Sequence, residues 1–172
     1  MPQNKAIFFD RDGTLNVDVD YLHDPADFVW TQGAVDAVRW ANERGYLAIV
    51  VTNQSGVARG YFLESDVTRL HDWMNNELRK YGAHIDAFYY CPHHPEAKIL
   101  AYRQDCDCRK PAPGLILRAL REHDIDPAAS LMIGDAPRDV LCAEQAGVRG
   151  VLYEGGDLGG LLRRAMKEIH IS

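Results

Sequence analysis

The chain alternates short apolar runs with longer stretches in which apolar residues recur every three or four positions. Five runs have the length and composition of buried strands: Lys5–Asp10, Leu47–Thr52, Asp86–Cys91, Leu131–Asp135 and Gly150–Tyr153. The stretches between them carry helical spacing. Ala34–Arg44 sets Val35, Val38 and Ala41 on one side, and Gly45 stops it. Glu64–Tyr81 repeats Val67, Leu70, Met74, Leu78 and Tyr81 before Gly82. Pro113 suits the first turn of a helix through Arg121. Asp139–Ala146 ends at Gly147, and Leu158–Ile169 turns Leu158, Leu161, Leu162 and Ala165 to one face.

This alternation predicts an α/β fold, a doubly wound and mainly parallel sheet covered on both faces. Such sheets bind ligands beyond the carboxyl ends of their strands. Three of the strands end in polar side chains: the first at Asp10, the second at Thr52-Asn53-Gln54-Ser55, the fourth at Gly134-Asp135. The fold therefore brings these residues toward one site. With no repeat, low-complexity stretch or linker, residues 1–172 are expected to form one domain. No segment is long enough for a separate cap domain. The pocket walls must come from loops: the stretch between Leu15 and Ala34, Gly56–Phe62, and a cysteine-bearing loop.

Composition and charge narrow the function. A formal charge of −6 argues against nucleic acid as partner, and an anionic substrate must meet local cations. The absence of a long apolar run or a signal-peptide pattern predicts a cytoplasmic protein that does not enter a membrane. With no apolar stripe left over once the core is assigned, a monomer is expected.

The first strand ends in "DRDGT". Residues two apart in extended chain point the same way, so Asp10 and Asp12 would face one pocket. Paired carboxylates repel unless a cation sits between them or one holds a proton. Mg²⁺ suits such oxygen ligands, often with phosphate completing its shell, and Asp135 is placed to add a third oxygen. A carboxylate can attack phosphorus, and a second can carry the proton. Taken alone, the stretch is equally a strand exit capped by solvated acids, with Asp12-Gly13 as a plain turn.

Three of the four cysteines, Cys91, Cys106 and Cys108, fall within one 18-residue stretch. Cys91-x-His93, twelve residues, then Cys106-x-Cys108 offers three thiolates and an imidazole, a closed tetrahedral Zn²⁺ set; His94 is an alternative fourth ligand. Such a closed set is structural, and zinc also orders a long irregular loop.

Together, "DRDGT" after an apolar strand, "VVTNQS" at the second strand, the lysine of "CRKPAPG" and "GDAPRD" after the fourth strand resemble the four motifs of the haloacid dehalogenase superfamily, from about Lys5 to Tyr153. The resemblance implies Asp10 as nucleophile and Asp12 as general acid/base. It implies that Thr52 and Lys110 hold the phosphoryl group. Mg²⁺ would be held by Asp10, the carbonyl of Asp12, and Asp135, with Asp139 in support.

"CPHHP…CDCRKPAPG", "TLNVDVDYLHDP" and "TNQSGVARGYF" further resemble the D-glycero-D-manno-heptose 1,7-bisphosphate 7-phosphatases. That narrower likeness implies Cys91, His93, Cys106 and Cys108 as ligands of a structural Zn²⁺. It implies substrate contacts from Asp18, Val19, Asp20, Tyr21, Thr52, Asn53, Gln54, Ser55, Arg109 and Lys110. The substrate would be a small sugar bisphosphate, with Lys110 serving the reacting phosphate and Arg109 the distant one. Histidinol-phosphate phosphatase domains share most of these motifs, and a zinc-loop binding module without catalysis is the alternative from another class. The family usually carries a basic residue after "GD", where this chain has Ala136 and Pro137.

Other residues have plainer expectations. Trp30, Trp40 and Trp73 suit core or pocket wall, His71 a packed helix face, and Cys142 a small buried hydrophobe. Arg163, Arg164 and Lys167 suit a solvated face.

Overall fold

The computed structural model describes residues 2–171. Five parallel strands form one sheet: β1 (Ala6–Phe9), β2 (Leu47–Asn53), β3 (Ala87–Cys91), β4 (Leu131–Gly134) and β5 (Arg149–Leu152). Their order is β3-β2-β1-β4-β5, so the chain winds outward from β1 in both directions. Register is set by apolar pairs in the middle of the sheet, with Phe8 opposite Ile49 on one side and Met132 on the other.

Side chains alternate across the sheet, and both faces are covered. Ile7, Phe9, Ala48, Val50, Leu131 and Ile133 pack with helices α1 (Ala34–Glu43), α2 (Glu64–Arg79) and α5 (Leu158–Ile171). Ala6, Phe8, Ile49, Val51 and Met132 face α3 (Gly114–Glu122) and α4 (Pro137–Gln145). Burial on two faces is why the strands read as continuous apolar runs rather than as alternating ones. Every predicted strand and helix is present, with ends shifted by a residue or two, as frayed termini allow. The difference at α2 is real: it ends at Arg79, and Tyr81, expected on its apolar face, lies beyond it and is exposed. The Gly82 turn follows the helix too closely for Tyr81 to continue its stripe.

β2, β1 and β4 are neighbours, so their carboxyl ends converge. Loops wall that end. The segment after β1 folds back on itself, with Val17 N–H donating to Val29 O and Thr31 N–H to Leu15 O. It leans on the segment after β2 through rings: Tyr21 meets Tyr61 edge-on at 4.8 Å, and His23 stacks on Phe62 at 5.0 Å. Ile99 N–H in the cysteine loop donates to Ala58 O, tying the third wall to the second. Trp30, Trp40 and Trp73 pack partly buried against the core, and Cys142 is fully buried.

Candidate active site

The strand ends and the three loops enclose a cleft of about 280 Å³. Asp10, Asp12, Asp18, Asp20 and Asp135 line it, against only two cations, Lys110 and Arg138. Tyr21, Thr52, Asn53, Gln54 and Ser55 complete the polar lining. Of the residues expected to contact substrate, Val19 and Arg109 are not among those lining the cleft. Val19 is exposed, and Arg109 borders a neighbouring cavity that shares Lys110 with it.

Asp10 follows the last residue of β1, and its N–H donates to Ile133 O of β4, which anchors it to two strands. Its carboxylate is almost fully buried. Lys110 Nζ donates to Asp10 Oδ1 (2.8 Å), to Asp139 Oδ1 (2.7 Å) and to Val51 O (2.9 Å). Asp139, in the first turn of α4, also accepts from Ala136 N–H (3.1 Å). Burial pushes the Asp10 carboxyl up, to about 8, with Lys110 opposing and Asp139 adding to the rise. Burial likewise works against the charged Lys110, but Asp10 and Asp139 outweigh it and hold the ammonium protonated.

These charges do not balance. Carboxylate oxygens of Asp10, Asp135 and Asp139 can be chosen that all lie within 4.8 Å of one another, and the single ammonium nearby bonds two of them, Asp10 and Asp139. With all three acids ionised, three negative charges would face one positive charge; a divalent cation with oxygen ligands would balance that excess and favour the ionised form of Asp10 against its burial. Gly13 makes the approach possible. Its φ is +85°, and a β-carbon there would stand 2.2 Å from Asp135 Oδ2.

Asp12 reaches the cleft by a different route from the one expected. β1 ends at Phe9, and the chain then turns through residues 11–16, closed by a bridge between Asp12 and Asn16, so strand alternation does not orient Asp12. Side-chain contacts do. Its carboxylate accepts from Arg11 Nε and Nη2 (3.1 Å each), Asn16 Nδ2 (3.0 Å) and Gln54 Nε2 (3.0 Å). Gln54 Nε2 also donates to Thr52 Oγ1 (2.8 Å), which ties the acid to the hydroxyl at the end of β2. Asn53 clamps the backbone of Lys110 from both sides, accepting from its N–H (2.9 Å) and donating to its carbonyl (3.2 Å).

Arg138 gives this cleft a cation two residues beyond the alanine that stands where a basic residue was expected. Arg11 is the larger omission. In sequence it is only the middle of an Asp-x-Asp, yet it is the largest fully buried side chain among the described residues. No local pattern foretells this, because beyond the adjacent Asp12 its partners, Leu22, Gln54 and His71, come from three other segments of the chain.

The second cluster lies in the loop after β3. Cys91, His93, Cys106 and Cys108 bring ligand atoms within 4.8 Å of one another. Cys91 Sγ is 3.5 Å from Cys106 Sγ and 3.7 Å from His93 Nδ1; Cys108 Sγ is 3.4 Å from Cys106 Sγ and 3.3 Å from His93 Nδ1. Edges of a tetrahedral zinc site with Zn–S of about 2.3 Å run to roughly 3.7 Å, so these four fit. The remaining thiol pair, Cys91 and Cys108 at 2.8 Å, is closer and must open slightly around an ion. All four cysteines are free of disulfides. His94, the alternative ligand, is outside the group, and its Nδ1 accepts from Glu96 N–H.

Comparison with known proteins agrees with this geometry. A family model described as "HAD-hyrolase-like" matches residues 107–168. The D-glycero-beta-D-manno-heptose-1,7-bisphosphate 7-phosphatase of Pasteurella multocida is 47% identical over 148 residues, covering 86% of this chain and 80% of that protein. The protein of the same name from Rhodopseudomonas palustris is 42% identical over 168 residues, covering 98% and 93%. A crystal structure of D,D-heptose 1,7-bisphosphate phosphatase from B. bronchiseptica, complexed with magnesium and phosphate, superposes with a TM-score of 0.84 at 29% identity, covering 96% of this chain and 99% of that one. A parallel sheet with acids and one lysine at its carboxyl ends, joined to relatives this similar over most of their length, identifies the chain as a phosphoric monoester hydrolase that belongs to the heptose 1,7-bisphosphate 7-phosphatase family of the haloacid dehalogenase superfamily.

Proposed function

We propose that this chain hydrolyses the C7 phosphate of a D-glycero-D-manno-heptose 1,7-bisphosphate, with Mg²⁺, through an aspartyl-phosphate intermediate, as a step toward nucleotide-activated heptose. The observation that carries the proposal is the clustering of Asp10, Asp135 and Asp139 at the floor of a polar cleft, with Lys110 bound to Asp10 and Asp139. Bound Mg²⁺, held by Asp10, Asp135 and the carbonyl of Asp12, would neutralise charge on the carboxylates and on the phosphoryl oxygens.

The chain's own groups do the rest. The free oxygen of Asp10 attacks phosphorus in line with the departing sugar oxygen. Lys110 and Thr52 hold the equatorial oxygens as the phosphoryl group passes through its loose transition state. Asp12 gives its proton to the sugar oxygen as the P–O bond breaks. It then takes a proton from the water that attacks the acyl phosphate, which releases orthophosphate and restores Asp10. Asp139 keeps Lys110 charged and in place.

Substrate choice rests on the walls. Asp18, Asp20, Tyr21, Asn53 and Ser55 face the space a sugar would occupy. Arg109 serves the distant phosphate. Its Nε is buried without a hydrogen-bond partner among the described residues, as is that of Arg59 on the adjoining wall. Zn²⁺ on Cys91, His93, Cys106 and Cys108 would order the loop that delivers Arg109 and Lys110. A monomeric, cytoplasmic, single-domain enzyme fits this role. No helix among the described residues is long and apolar enough to cross a membrane.

Initial rates of phosphate release on both heptose bisphosphate anomers, histidinol phosphate and an aryl phosphate, with and without Mg²⁺, test the assignment. The expected outcome is a clear preference for one heptose bisphosphate. Higher kcat/KM on histidinol phosphate would overturn the substrate. Unchanged rates after Asp10→Asn would overturn the mechanism.

A further inference from the structure

Arg11 lies between the nucleophile and the acid/base, and none of its side chain is exposed. A buried guanidinium is retained only where its donors are met, because unpaired it costs several kcal/mol. Arg11 meets five contacts. Nε and Nη2 form a fork on the two oxygens of Asp12; Nη2 also donates to Leu22 O (3.0 Å) and Gln54 Oε1 (3.1 Å). Nη1 lies 3.2 Å from His71 Nε2. A guanidinium only donates, so His71 Nε2 is the acceptor and the ring carries its proton on Nδ1. The ring lies flat on Phe88, with centroids 4.3 Å apart and planes at 11°. Burial, and then the Arg11 charge, hold its pKa well below the ordinary range, so the imidazole stays neutral.

The chain of contacts therefore runs from a packed aromatic in β3, through a neutral histidine in α2, to Arg11 and onto the carboxylate of Asp12. We propose that Arg11, backed by His71, is the positioning residue for proton transfer by Asp12, fixing its carboxylate so that it meets the leaving oxygen. A two-point fork fixes a carboxylate's plane as well as its place, which a lysine cannot do. Gln54 extends the same control to Thr52, so that acid and phosphoryl-holding hydroxyl keep a constant spacing. The proposal rests on Asp12 acting as the acid, as set out above.

Proton delivery matters only where the leaving group needs it. The test is kcat/KM for Arg11→Lys over phosphate monoesters that run from alkyl alcohols to 4-nitrophenol. Arg11→Lys should lose about 100-fold on alkyl esters, within the range of general acid catalysis, and only a few-fold on 4-nitrophenyl phosphate. Asp12→Asn should show the same tilt, more strongly. His71→Leu, which strips Nη1 of its acceptor, should tilt the series in the same sense, and His71→Asn should restore part of it. Melting curves on each variant confirm folding, and His71→Leu carries the test if Arg11→Lys does not fold. An equal loss on every ester, or none, would make Arg11 merely structural and overturn the proposal. A level series for Asp12→Asn would overturn the role of Asp12 itself, and the positioning role with it.

Discussion

The two ligand clusters of this molecule are built in opposite ways. The carboxylate site draws Asp10, Asp135 and Asp139 from segments far apart in sequence, and only the parallel order of β1 and β4 makes them neighbours. The cysteine site is local: its four ligands fall between residues 91 and 108. The first is open to a cleft and carries excess charge. The second offers four donors, enough for a closed tetrahedral set, and begins at the last residue of β3. Rigid strand ends suit groups that must hold a reacting atom to within fractions of an ångström. A loop with neither helix nor strand over most of its length needs a cross-link instead. The two are joined by chain: Cys108 is two residues from Lys110.

Separating these duties is the sharpest way to break the comparison. The largest effect is expected from Asp10→Asn, which should lower phosphate release by about 10³-fold or more while leaving the fold intact, since Lys110 keeps Asp139 as a partner. Removing Mg²⁺ with a chelator should abolish turnover in the same range and restore it on adding Mg²⁺ back, with circular dichroism unchanged. Persistence of activity in chelator would show that the three acids have another purpose.

Cys106→Ser should act in the other order. Loss of one zinc ligand should cost stability by several kcal/mol, read from denaturant midpoints, with activity falling because Lys110 and Arg109 lose their support. If Cys106→Ser melts like the wild type, the loop holds itself without an ion. Arg109→Ala and Arg138→Ala come next. The first should raise KM about 10-fold for a bisphosphate and leave a monophosphate within a few-fold, while equal losses would end its assignment to the distant phosphate. Arg138→Ala, at an exposed cleft edge, should cost less.

The smallest effect concerns His71 and pH. Its folded pKa is depressed, whereas the unfolded side chain titrates near the ordinary value of about 6.5. Below that pH the unfolded chain binds a proton that the folded one refuses, so stability falls as pH drops. Comparing wild type with His71→Asn should show the wild type losing about one proton's worth of stability, up to roughly 1.4 kcal/mol per pH unit, between about pH 6.5 and 5. Parallel stability curves for the two proteins would mean that His71 is not held neutral.

Much of this was legible along the chain. Apolar runs and helical periods located all ten elements, because a sheet buried on both faces writes itself as continuous hydrophobic strands. Polar strand ends pointed to Asp10, Thr52 and Asp135, and the clustered thiols to the loop, since both signals are local in sequence. Tertiary structure alone decided the rest. Asp12 is oriented by a buried arginine rather than by strand alternation. The histidine that joins the three loop cysteines is His93 and not His94. Arg138 supplies the cleft's second cation, and Lys110 is shared between two acids. Spacing records which face a residue occupies within its own element. It does not record which side chain from another element comes to meet it, and that meeting is what sets charge balance and hydrogen bonding in the site.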